Sequence, residues 1–249
     1  MFKTLFKIFI LIGVAAYLVF AIVTFSHPAE GQECKGLDIV VDDSHNTGFV
    51  GENEIREWLV SHKKFPEGEK LAEIDLAAME AVLEENPYID KALCYATAED
   101  KVAIRVTPRI PLLHVINQKG EDFYIDNQGG TMPRGHHTVD LIVMTGNVPR
   151  STAGKLYSGL ARTITSDPRW SKQIQEIHVD ASGEIELTPA GMNHTVVLGD
   201  TSKVADKLSR LATFYDEGLT KAGWNTYKTI NLKFDDQVIA TRQLSSQKD

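Results

Sequence analysis

From Ile8 to Phe25 the chain carries no charged residue, and the apolar run reaches back to Leu5 with only Lys7 interrupting it. A helix of about 20 apolar residues crosses a hydrocarbon core of roughly 30 Å, and this run is long enough to do so. A secretory leader has an apolar region of about 7–15 residues and a small-x-small cleavage site; Thr24-Phe25-Ser26-His27-Pro28 offers no such site. The expectation is an uncleaved transmembrane helix over residues 8–25. Lys3 and Lys7 precede it and Glu30 and Glu33 follow it. The bias of positive charge toward the cytosol then makes residues 1–7 a short cytoplasmic tail and exports the remainder.

That remainder is long enough for two small domains with real cores. With 26 Lys and Arg against 34 Asp and Glu the net charge is -8, and no basic block is interleaved with aromatics, so a nucleic-acid partner is not expected. Two cysteines, Cys34 and Cys94, are available to pair in an oxidising compartment, or to remain as two thiols; spacing alone does not decide.

Ser26 to Lys35 reads as a polar linker, and the first domain begins near Gly36. Leu37-Asp38-Ile39-Val40-Val41 is a strand candidate. After Gly51, Ile55, Trp58 and Leu59 recur at helical spacing. A second helix is capped by Asp75, carries Leu76, Met79, Val82 and Leu83 as its buried stripe, and ends at Asn86-Pro87, because proline disfavours helix in the residue before it. Strands at Tyr88–Thr97 and Val102–Thr107 follow, which gives β-α-α-β-β over residues 36–107.

From Pro108 the punctuation changes to short β segments at Leu112–Ile116, Asp122–Ile125 and Leu141–Met144, separated by Asn- and Gly-rich turns. A helix from Ala153 to Thr165 presents Leu156, Leu160 and Ile164, and strands recur at Ile174–Val179, Ile185–Leu187 and Thr195–Leu198. A longer helix over Val204–Ala222 buries Val204, Leu208, Leu211, Tyr215 and Leu219 and stops at Gly223. The last element is a hairpin: Ile230, Leu232 and Phe234 share a face, Asp235-Asp236 turn, and Val238 to Arg242 return. The fold class is α+β, with a mostly antiparallel β domain carrying two helices over residues 108–243 and a tail at 244–249.

Catalytic chemistry finds no foothold. Gly146 to Lys155 imitates a phosphate loop, but its glycines are too far apart and Leu156 stands where a magnesium-binding hydroxyl belongs. Thr152-Ala153-Gly154-Lys155 imitates a nucleophile motif without its partner motifs. His136-His137 beside Arg134 lacks a nearby carboxylate or thiol at ligand spacing. Asp42-Asp43 with His45, and Glu84-Glu85, fall where turns and polar helix faces carry charge anyway. Trp58 and Trp224 read as packing residues. Neither a cofactor nor a metal nor a small-molecule substrate is expected. What remains is the terminal hairpin, whose outer row of backbone N–H and C=O groups either recruits an extended partner or is covered by another strand or by the tail after Leu244.

Six stretches follow the apolar run in order: Asn86-Pro87-Tyr88-Ile89-Asp90-Lys91-Ala92, Val106-Thr107-Pro108-Arg109-Ile110-Pro111, Tyr124-Ile125-Asp126-Asn127-Gln128-Gly129, Leu141-Ile142-Val143-Met144-Thr145-Gly146, Val196-Val197-Leu198-Gly199-Asp200 and Ile230-Asn231-Leu232-Lys233-Phe234. Together with the element order they resemble the bacterial cell-division family FtsQ/DivIB over nearly the whole chain. Thr107 replaces that family's usual glutamate, Ile142 its proline and Asn231 its aspartate, which marks a divergent branch.

The resemblance implies a single-pass inner-membrane protein at the division septum. Its POTRA domain and β domain would lie outside the cytoplasm and act as a non-enzymatic divisome scaffold linked to septal peptidoglycan synthesis. It implies FtsB and FtsL as partners, FtsB adding a strand to the C-terminal edge. The contact positions carried over are Lys233, Phe234, Asp236, Gln237, Thr241 and Arg242, with Val238, Ile239 and Ala240 in the paired strand. Lys233 keeps the family's charge and Phe234 its aromatic ring; Asp236, Gln237, Thr241 and Arg242 differ in type from well-known members. Two other readings compete: a POTRA-bearing envelope assembly factor, which would continue into a long barrel, and a tethered cell-wall enzyme, which would need a nucleophile and base.

Overall fold

A computed structural model describes residues 2–25, 31–45, 47–136 and 139–243. Helix α1 runs Phe2–Phe25, and Phe9, Leu11, Tyr17 and Phe20 on it are exposed. Among the described residues no helix is long and apolar enough to cross a membrane. The expected span therefore rests on the sequence pattern.

The chain divides into two units, the first made of Met1–Ser44 and Val50–Pro108, the second of His45–Phe49 and Arg109–Asp249. In the first, β1 (Leu37–Val41), α2 (Glu52–Ser61), α3 (Leu76–Glu84), β2 (Ile89–Ala96) and β3 (Val102–Pro108) follow in the expected order. β3 is central, parallel to β1 and antiparallel to β2. Helix α2 starts where the Gly51 amide donates to Glu54 Oε2 at 3.1 Å, and α3 where Asp75 Oδ1 accepts from Ala78 N at 3.0 Å. Ile55, Leu59, Met79 and Leu83 go into the core. Leu76 and Val82, expected there, are half-buried, and Trp58 donates its indole N–H to the Val82 carbonyl at 2.7 Å.

The expected linker ends early. Leu71 N donates to Gln32 O, Cys34 N to Glu69 O and Lys35 N to Asp100 O, so residues upstream of Gly36 are already paired into the unit. Cys34 and Cys94 are both buried free thiols. Burial, and secondarily the Glu80 carboxylate, push the Cys94 thiol up to about 12, far from a reactive thiolate.

The second unit is a nine-stranded mixed sheet with helices on one face. Its first strands are β4 (Pro111–Asn117), β5 (Asp122–Asp126), β6 (Thr131–Pro133) and β7 (Ile142–Gly146). Then come α4 (Arg150–Thr165), α5 (Trp170–Gln173), β8 (Ile174–Val179), β9 (Ile185–Pro189) and β10 (Thr195–Gly199). The last stretch holds α6 (Val204–Thr213), a π-helical turn (Phe214–Leu219), α7 (Thr220–Ala222), β11 (Tyr227–Asn231) and β12 (Ile239–Arg242). The strand order is β12-β11-β10-β9-β8-β7-β4-β5-β6. Three neighbouring pairs are parallel, β4 with β7, β7 with β8 and β10 with β11; parallel neighbours need a crossover, and the chain passes through β5 and β6 for the first pair and through α4 and α6 for the other two. Leu113, Phe123, Met144, Ile177, Leu187 and Leu198 from the sheet share one core with Leu160, Ile164, Leu208, Leu211 and Tyr215 from the helices.

Helix α4 begins at Arg150, earlier than expected, and Leu156 is 48% exposed, while Ala153, Tyr157, Leu160 and Ile164 are buried. The stretch that imitates a phosphate loop has a packing role. Gly154 lies so close to Gly129 that an added Cβ would meet the Gly129 carbonyl oxygen, and Gly129 holds φ +86. That glycine-to-glycine contact seats α4 on the turn after β5. The turn itself is built on Asp126, 2% exposed. Its carboxylate accepts from Arg109 Nε at 2.8 Å and Nη2 at 2.6 Å, and from the amides of Gln128 at 3.0 Å and Gly130 at 2.6 Å.

His194, 4% exposed, lies 2.7 Å through Nε2 from Tyr215 Oη, and its Nδ1 has no partner among the described residues. Burial holds this imidazole below its ordinary range. Tyr215 is flanked by Trp170 and Trp224, and Arg169 lies over the Trp170 and Tyr215 rings while binding Asp216 through both nitrogens at 2.9 Å.

Two outcomes follow from this packing. Asp126→Ala leaves Arg109 without its carboxylate and two amides without an acceptor, a buried-pair loss of about 3–5 kcal/mol; urea unfolding measures it, and a loss under about 1 kcal/mol would show that the turn holds itself. His194 is neutral in the folded chain, so the unfolded state takes up its proton first. Stability is full above the ordinary value near 6.5 and falls below it by at most about 1.4 kcal/mol per pH unit. Replacing His194 with Gln removes that slope in a series of unfolding curves from pH 7.5 to 5; an unchanged slope assigns it to other groups.

Candidate strand-docking edge

β12 closes one end of the nine-stranded sheet and, among the described residues, pairs with β11 alone, through Asn231 with Ile239, Ile230 with Ala240, Thr229 with Thr241 and Tyr227 with Arg242. Among the described residues no hydrogen bond occupies its outer side, and Ile239, Thr241 and Arg242 are exposed. Residues 244–249, expected as a tail and one possible cover, lie outside the described residues. An edge of this kind can take an extended segment through main-chain bonds.

The opposite end of the same sheet is blunt. β6 is three residues long and ends in Pro133, which has no N–H to offer. In the first unit, β2 is an edge on which two amides are already taken: Glu80 Oε1 accepts from Cys94 N at 2.8 Å and Glu84 Oε1 from Ala92 N at 3.3 Å. These two acids sit on a helix face that the sequence presents as solvent-facing charge. Their reach back to the strand is the signal that sequence reasoning lacked.

The predicted site residues fall into three groups. Lys233 and Phe234 lie just past the end of β11, after Leu232. Lys233 Nζ reaches Glu184 at 2.6 Å, its stem passing so close to Gly199 that a Cβ there would collide with it. Phe234 does not continue the buried face of Ile230 and Leu232; it is 51% exposed. The strand ends at Asn231, whose Oδ1 accepts from Lys233 N at 2.9 Å, and the turn this starts breaks the alternation. Asp236, at φ 58, and Gln237 form the turn, and Val238 packs back on the core. Ile239, Ala240, Thr241 and Arg242 make the strand.

Two depressions flank this edge. One, of about 450 Å³, is bordered by Phe214, Gly218, Lys221 and Val238 among others. The other, of about 540 Å³, contains three lysines, each matched to an acid: Lys203 with Asp235 at 2.8 Å, Lys207 with Asp200 at 2.7 Å, and Lys233 with Glu184. Hydrogen bonds from Lys207 and then Ser202 hold the Asp200 carboxyl far below the usual carboxylate range, and Lys203 lowers Asp235 in the same way. The matched charges fix the turns around the edge.

Elsewhere the candidate chemical groups are engaged structurally. Thr152 Oγ1 donates to the Pro149 carbonyl. Glu84 binds Ala92 N, and Trp224 stacks edge-on against Tyr215. His137 lies outside the described residues. Among the described residues no group of three or more His, Cys, Asp or Glu is placed to hold a metal ion.

Comparison with known families places a POTRA-like domain at residues 32–107, the unit whose pairing starts at Gln32. A second family model, described as FtsQ/DivIB, C-terminal related, matches residues 110–241. A search of curated proteins finds no match. The second match covers more than half of the chain, spans the whole nine-stranded sheet and ends within β12; the chain belongs to the FtsQ/DivIB family.

Proposed function

We propose that this protein is a non-enzymatic scaffold of the cell-division machinery that captures an FtsB-like partner, together with FtsL, by strand addition to β12 and so links division-site assembly to septal peptidoglycan synthesis. The family's domains point to a role in cell division. The observation that carries the finer reading is the outer edge of β12, with no hydrogen bond on it among the described residues and with Ile239, Thr241, Arg242 and Phe234 exposed along it. Main-chain pairing tolerates side-chain divergence, so the unusual types at Asp236, Gln237, Thr241 and Arg242 are compatible with it.

Residues 8–25 anchor the scaffold in the inner membrane, with Lys3 and Lys7 on the cytosolic side. Both units then lie outside the cytoplasm, at the septum. The uncharged run supports the anchor, and the order of domains supports the placement.

Deleting the chain from Val238 onward, or replacing Phe234 with Glu, is expected to reduce co-purification of the FtsB-like protein by about 100-fold or more, the scale of an interface hot spot, while circular dichroism and protease resistance of the first unit stay unchanged. Undiminished capture by the truncated chain sinks the edge reading. In cells, depletion should give filaments without septa; lysis without filamentation would point to an envelope-assembly role instead.

A further inference from the structure

β12 has little to hold it. It is four residues long, pairs on one side only among the described residues, and its pairing with β11 is broken by a register shift between Tyr227 and Thr229. Ile239 and Thr241 are exposed, so the strand itself contributes little apolar burial, and a hairpin of this size is marginal in water without further support. Residues 232–238 connect it to β11, seven positions that include an exposed Phe234 and a left-handed Asp236.

The support comes from one side chain on α6. Arg210 Nη1 donates to the carbonyl oxygens of Phe234, at 2.7 Å, and of Gln237, while Nη2 donates to that of Leu232 at 3.1 Å. Three carbonyls spread over six residues of the connection thus converge on a single planar guanidinium. The helix that presents it is fixed by Leu208 and Leu211 in the core. Among the described residues the hydrogen-bond partners of Arg210 are all main-chain oxygens. Its role is therefore to collect backbone carbonyls, which suits the planar fork of donors that arginine has and lysine lacks.

On the reading of β12 as a docking edge, we infer that Arg210 is the positioning residue that pre-organises this edge for strand capture. Its three bonds hold the connection in one conformation, so that β12 is a formed template before a partner arrives and the ordering cost is already met. Lysine at this position keeps the charge but offers a point donor for at most part of the set.

The test uses the full chain in three forms: wild type, Arg210→Lys and Arg210→Ala, with the chain truncated before Val238 as control. Amide hydrogen exchange is read in the free proteins, and capture of the co-expressed FtsB-like protein in all four. Losing two or three such bonds is expected to speed exchange across 238–242 about tenfold or more and weaken capture by a similar factor. Arg210→Lys should resemble Arg210→Ala, and exchange in β3 and β8 should stay at wild-type rates. Full rescue by lysine overturns the inference, because charge alone would then suffice. So does unchanged exchange at 238–242, and so does wild-type capture by Arg210→Ala when the truncated chain captures nothing. Capture retained by the truncated chain refutes the docking reading itself, and the positioning role falls with it.

Discussion

Asp126 is the point on which the second unit is assembled. Its carboxylate joins Arg109, just before β4, to the turn after β5, and the same turn receives α4 through the Gly129 and Gly154 contact. A buried carboxylate is costly unless fully paired, and this one takes a two-point bond from Arg109 as well as backbone amides. Once that turn is rigid, α4 has a fixed seat and the parallel pairing of β7 with β8 has its crossover in place. The chain can then repeat the manoeuvre with β10, α6 and β11, ending on the edge strand. A stretch that imitates a phosphate loop proves to be a place where two backbones must touch.

Much of this was legible in the chain. Period-two alternation located most strands, and Asp75 and Pro87 bounded α3 as their chemistry requires. The six motif stretches made sense once folded: Arg109 and Asp126 come from two of them and meet in one ion pair, while Gly199 comes from another and leaves room for Lys233. What sequence did not show is mostly non-local. The pairing of β4 with β7 has no local signature. β6 is too short to show a period, and the π-helical turn at Phe214–Leu219 reads as ordinary helix because Tyr215 and Leu219 keep an apolar spacing. In α4 the expected Leu160 and Ile164 are buried, but the stripe continues through Tyr157 and Ala153 and leaves Leu156 exposed.

At the candidate edge the strand and its turn were visible in sequence and the arrangement that holds them was not. Ile230, Leu232 and Phe234 alternate like one buried face, yet Asn231 begins a turn and turns Phe234 outward. A conformational error of one residue thus separates a core aromatic from an exposed one, and only the exposed one is accessible to a partner. Arg210 illustrates the same limit: on α6 it reads as a surface cation, and its partners are carbonyls 22 to 27 positions away, which carry no residue signature.

The acids on α3 also bear on how copies of the chain can meet. Were the amides of Ala92 and Cys94 bare, β2 would offer a strand template of its own, and copies crowded together would risk joining edge to edge. Glu80 and Glu84 take the acceptor positions that a foreign strand would fill. With those two positions filled, β2 is closed to a strand from a second copy.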